Sequence, residues 1–66
     1  MEIQLKSKLI DAFGYNEHTG TLVIHLSNGQ RRVFVDVPQT VAYELAGATS
    51  PGTYYVNAIR TKFQMH

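Results

Sequence analysis

The chain contains no cysteine and no tryptophan, only two prolines, and little charge of either sign. Without cysteine, disulfides cannot supplement the core, and the absence fits a reducing compartment. No apolar run approaches the ~18 residues of a membrane span. The N-terminus opens with Glu2 and has no continuous apolar segment, so a signal peptide is not expected and the expected location is cytoplasmic. Six Lys+Arg against five Asp+Glu leave a net charge of +1 and a pI near 8.1. That is short of the pI above about 9 that marks a nucleic-acid-binding domain by charge alone, so any nucleic-acid reading rests on local patches.

What is present is a globular composition, 44% hydrophobic and 17% charged, which argues against disorder. With 66 residues there is room for one domain. At this size only about 60% of the unfolded surface is buried, and the net stability of such a core is roughly 3–5 kcal/mol.

Ile3 and Leu5 alternate with Glu2, Gln4 and Lys6, which reads residues 1–8 as an extended arm or a strand. Residues 9–15 continue as a strand, and Asn16-Glu17-His18-Thr19-Gly20 is a turn cluster. A strand over residues 21–27 leads to Asn28-Gly29, a strong signal for a two-residue hairpin turn, because a type I′ turn needs positive φ at both central positions. The third strand runs over residues 30–37. Val37-Pro38 closes the sheet and starts a helix over residues 38–46, with Val41 and Leu45 on its apolar stripe beside Ala42 and Ala46, and with Gly47 as its stop. Ser50-Pro51 opens a second helix reaching Lys62, on which Val56, Ile59 and Phe63 share a face. Thr53-Tyr54-Tyr55-Val56 is poor helix material by propensity, which leaves a strand or loop start open.

A two-residue turn at Asn28-Gly29 places Ile24 opposite Val33, Leu22 opposite Val35, Val23 opposite Phe34 and His25 opposite Arg32. A five-residue loop before Thr21 places Phe13 opposite Val23 and Asp11 opposite His25. The expected core face is then Ile10, Ala12, Gly14, Leu22, Ile24, Leu26, Val33 and Val35, covered by both helices. The opposite face carries Asp11, Phe13, Tyr15, Val23, His25, Arg32, Phe34 and Asp36.

The order of Ile10 to Tyr15, Thr21 to Leu26, Asn28-Gly29, Val37-Pro38, Ser50-x-Gly52-x-Tyr54-Tyr55 and Ile59-Arg60-x-x-Phe63 resembles the KTSC domain. This family is named after the C-terminus of some lysyl-tRNA synthetases and also occurs as stand-alone bacterial or phage proteins. The resemblance covers the chain from about Lys6 onward. It implies a small α+β domain in a bacterial cytoplasm, or in that of a host if phage-borne, and the synthetase context implies RNA as a ligand. Two departures are visible. The family's Tyr-x-Tyr pair before Val-Pro is here Arg32 and Phe34, and the Asn after its later aromatic pair is replaced by Val56, with Asn57 one position on.

The fold expected is a three-stranded antiparallel meander, extended by the N-terminal strand if that arm pairs, with two C-terminal helices on one face. On the opposite face, Phe13, Tyr15 and Phe34 with His25 and Arg32 have the chemistry of a single-strand platform, rings for stacking and cations for phosphate. Lys6, Lys8, Arg31 and Arg60 are further phosphate contacts. The blander reading, which the general stability of cross-strand aromatic pairs favours, packs these rings on each other, on the arm or on a second copy of the chain, and the alternative function is a protein-interaction or homodimerisation module using the same face. Asp11, His25 and Ser27 share that face but lack a cleft and oxyanion donors, so no enzyme is expected. His18 in a turn and His66 at the end give no zinc-ligand spacing, and no metal or cofactor is expected. Gly14, Gly20, Gly29 and Gly52 serve turns and close packing, and Tyr43, Tyr54 and Tyr55 read as half-buried helix residues with wet hydroxyls.

Overall fold

The structure, a computed structural model, describes residues 1–63. Four strands, β1 (Glu2–Gln4), β2 (Ile10–Asn16), β3 (Thr21–Leu26) and β4 (Arg31–Phe34), form an antiparallel sheet in the order β1-β2-β3-β4. Helix α1 (Gln39–Gly47) follows, then α2 (Pro51–Tyr54), which runs on without a break into a π-helical turn (Tyr55–Ile59). This is the expected α+β architecture. The N-terminal arm is the fourth strand, pairing Ile3 with Phe13 and Gln4 with Ala12. No helix of the described residues is long and apolar enough to cross a membrane.

Both hairpins run in a register one residue away from the expected one. At the β3–β4 reversal the Leu26 N–H donates to the Gln30 carbonyl at 2.8 Å and the Gly29 N–H to the Leu26 carbonyl at 3.0 Å. The loop is therefore Ser27, Asn28 and Gly29, a β-turn followed by a glycine bulge. Only Gly29 carries the left-handed backbone, at φ 89°, and Asn28 does not. Leu22 consequently pairs with Phe34, Val23 with Val33, Ile24 with Arg32 and His25 with Arg31. At the β2–β3 reversal the loop has four residues, Glu17 to Gly20, closed by the Gly20 N–H on the Asn16 carbonyl at 2.8 Å, and Tyr15 pairs with Leu22.

Because strand side chains alternate, a one-residue slip moves every side chain of the slipped strand to the other face. Relative to β3, both β2 and β4 turn over. Phe13, Tyr15 and Phe34 join Leu22, Ile24 and Leu26 in the core, and Ala12, Gly14 and Val33 leave it for the open face beside Val23 and His25. Val35, just past the end of β4, is half-buried and outside the core cluster. Ile10 keeps its expected core position because a bulge between Ile10 and Ala12 absorbs one residue at Asp11.

The helices close the other side of the core. Ala42 and Leu45 of α1 are buried, while Val41 is half-buried and Ala46 exposed. Ser50 precedes Pro51 as expected, yet its hydroxyl donates to Thr53 Oγ1 at 2.9 Å and caps no backbone N–H. The uniform helix expected to reach Lys62 instead widens after α2, where the Arg60 N–H donates to the Tyr55 carbonyl at 2.8 Å. Tyr55 and Ile59 are both buried on the turn so formed, and Tyr55 meets Phe34 edge to face with ring centroids 6.0 Å apart. Tyr55 is thus a core residue rather than a half-buried one. A ring fully removed from water in this way contributes about 1.5–3 kcal/mol, a large share for so small a domain.

The link from sheet to helices is clamped on the first hairpin. The Tyr15 hydroxyl donates to the Val37 carbonyl at 2.6 Å inside the core, and the Val37 N–H donates to the Gly20 carbonyl at 2.9 Å. Just before Val37 the chain bends at Asp36, whose φ of 56° is unusual for a residue with a side chain.

Candidate functional site

The five residues expected to form one ring-and-cation face are distributed over both sides of the sheet. Phe13 and Phe34 are 0% and 1% exposed, and Tyr15 is buried with its hydroxyl already engaged. None of these rings is available to stack on a base. His25 and Arg31 stand opposite each other on the open face, whereas Arg32 shares the face of Ile24 at the core's rim and donates from Nη2 to Gln30 Oε1 at 2.7 Å. The register explains this separation, since adjacent positions of β4 face opposite ways.

The acid, base and hydroxyl grouping is not assembled either. Ala12, not Asp11, lies opposite His25. The Ser27 hydroxyl donates to the Lys8 carbonyl at 2.6 Å. Among the described residues no group of three or more His, Cys, Asp or Glu side chains is placed to hold a metal ion, and His66 lies outside those residues.

The open face of the sheet consists of two cross-strand rows, Glu2, Gly14, Val23 and Val33 in one, and Gln4, Ala12, His25 and Arg31 in the other. Small residues occupy the centre and charges the two edge strands. At the Glu2, Gly14 and Val23 end of this face lies an open depression of about 420 Å³, bordered also by Thr19 and Thr21.

A larger concave site lies between the β1–β2 connection and the start of α2. It is an open cleft of about 550 Å³ lined by residues 6–9 on one wall and 49–53 with Val56 and Asn57 on the other. The first wall is held firmly. Leu5 N–H donates to the Asp11 carbonyl at 2.8 Å, Ser27 N–H to the Leu9 carbonyl at 2.9 Å, and the Ser27 hydroxyl to Lys8, so the second hairpin turn braces this loop from below. The second wall approaches at Gly52. A Cβ at that position would stand 3.2 Å from both Leu9 Cβ and Ser7 Oγ, a contact that would need these neighbours to give by a few tenths of an ångström.

The lining has a consistent chemistry. Lys6 and Lys8 are exposed cations in the lining, and among the described residues no carboxylate lines the cleft. Ser7, Thr49, Ser50 and Thr53 supply hydroxyls and Asn57 a carboxamide, while Leu9, Pro51 and Val56 supply apolar surface. Leu9 is 37% exposed, one of the few large apolar side chains open to water. With low charge density and hydroxyl groups that both donate and accept, such a site suits reversible binding of a segment that is partly anionic and partly apolar.

Of the cleft's residues, sequence reasoning singled out Lys6 and Lys8 as anion contacts but missed the opposite wall. The signal was Gly52. A glycine in the first turn of a short helix weakens it by about 1 kcal/mol relative to alanine, a misfit that marks close approach of another segment. The remaining expected phosphate contacts lie apart from the cleft, with Arg60 exposed beyond the π-helical turn. Tyr54 also turns away from it, donating to Glu44 Oε2 at 3.2 Å and so tying α2 to α1. Burial, the charge of Glu44 and that hydrogen bond together push the Tyr54 phenol above its ordinary pKa.

A family model described as the KTSC domain matches residues 6–63. Among solved structures, the crystal structure of a KTSC domain protein from Yersinia pestis superposes with a TM-score of 0.93 at 21% sequence identity, covering 100% of this chain and 93% of that one. No curated protein matches.

Proposed function

Because the chain belongs to the KTSC domain family, with both cleft walls inside the matched region, we propose that it is a non-catalytic binding domain that holds a segment of another macromolecule between residues 6–9 and 49–57. The observation that carries this reading is the cleft's lining, where among the described residues two lysines and no carboxylate accompany apolar Leu9, Pro51 and Val56 in a chain whose net charge is only +1. Local charge of one sign beside exposed apolar surface is what partner recognition requires and what a merely solvated surface does not.

RNA binding by stacking on the sheet has lost its rings, since Phe13, Tyr15 and Phe34 are buried, and contact through phosphate remains for Lys6 and Lys8. Self-association through the open sheet face draws on Val23 and Val33, which pair there. Light scattering over a concentration series addresses that second reading, and a strict monomer at high concentration counts against it.

Chemical-shift mapping of the full chain with a short oligouridylate and with a pool of short peptides tests the cleft. Perturbations concentrated on residues 6–9 and 49–57 by at least one ligand are the expected result. Saturable perturbations confined to the open sheet face would overturn the assignment.

A further inference from the structure

We propose that the cleft's occupant is an extended acidic peptide segment of a partner protein, with an aliphatic side chain seated on Leu9, Pro51 and Val56 and carboxylates directed to Lys6 and Lys8. The proposal deepens the reading of the cleft as the binding place and rests on it.

Charge selects the sign of the ligand. The two lysines stand two residues apart in the same wall, and among the described residues no carboxylate lines the cleft to neutralise them. The floor selects its polarity. Leu9 is exposed beside Val56 and Pro51, so a ligand that brings only charge would leave that surface in contact with water, whereas an aliphatic side chain removes it at about 25 cal/mol per Å². Four hydroxyls and the Asn57 carboxamide can exchange hydrogen bonds with peptide N–H and C=O groups, which an extended segment leaves unpaired.

The lining also decides between classes of anionic polymer. Proteins that hold single-stranded nucleic acid combine cations with rings on which bases stack. Among the described residues no aromatic side chain lines this cleft, and the sheet's rings are buried. A nucleic acid would be held here by phosphate alone and would gain nothing from Leu9 and Val56. A peptide with alternating acidic and aliphatic residues uses the whole surface.

The test titrates the isotopically labelled full chain with three probes: a blocked peptide alternating aspartate and leucine, its counterpart with asparagine for aspartate, and an oligouridylate. The acidic peptide is expected to shift amides of residues 6–9 and 49–57 and to bind about threefold to tenfold more tightly than the asparagine peptide, the worth of two exposed ion pairs. Lys6→Ala with Lys8→Ala, both at exposed positions that leave the core intact, should erase that difference. Equal binding of the two peptides in the cleft, or tighter binding of oligouridylate there, overturns the acidic-peptide assignment while the cleft remains a binding place. Silence of the cleft toward all three overturns both.

Discussion

The Tyr15 hydroxyl shows how much a single atom can hold in a domain of this size. It satisfies the Val37 carbonyl inside the core and thereby fixes the point at which the chain leaves the sheet for α1. Tyr15→Phe keeps the ring and leaves that carbonyl unpaired, so the variant should lose about 1–3 kcal/mol, read as a lower midpoint in urea or heat denaturation. Tyr54 makes a different prediction. Its phenol is raised in the folded chain, first by burial and then by Glu44, so the folded state holds that proton more tightly than the unfolded one. Its contribution is fully present below pH about 10 and is lost as pH rises through the folded value. Melting temperature should therefore fall more steeply above pH about 10 in the parent than in Tyr54→Phe, and parallel pH profiles would remove the coupling.

Among the elements, the hairpins carry the main lesson. Strands, the two reversals, the start of α2 at Pro51 and the α+β class were legible because they follow from local pattern: alternation, Gly and Asn at turns, and Pro at a first helical position. The faces were not. Asn-Gly serves as the centre of a two-residue turn, and equally as the end of a three-residue loop with a glycine bulge, and the two differ by one in register. The β2–β3 loop is also one residue shorter than expected, and the bulge at Asp11 then reverses that shift for Ile10, which no local residue announces. A pair of substitutions checks the outcome. Phe34→Ala removes a side chain that is 1% exposed and should cost about 3–5 kcal/mol, enough to unfold a domain with roughly that stability, whereas Val33→Ala on the open face should cost about 1 kcal/mol or less. Circular dichroism and urea unfolding distinguish the two, and the reverse ranking would restore the other register.

For the whole molecule, the near balance of charge means that any binding of nucleic acid is carried by the few cations that share one site. With Lys6 and Lys8 as the contacts, the affinity of the chain for an oligouridylate should fall with salt at a logarithmic slope of roughly −1.4, at about −0.7 per phosphate neutralised on a single strand. A much steeper slope measured by fluorescence titration would bring Arg31, Arg32 or Arg60 into a common surface that the fold does not provide. Composition and periodicity by themselves determined that one small domain forms, that strands precede helices, and that its charge is modest, because each of these properties belongs to residues near one another in the chain. Tertiary structure alone decided that the rings are sealed and that Lys6 and Lys8 border a cleft. Which face a side chain takes depends on the parity of loops and bulges added along several strands, and the cleft forms where α2 lies close to Leu9 at Gly52, a contact between segments far apart in sequence.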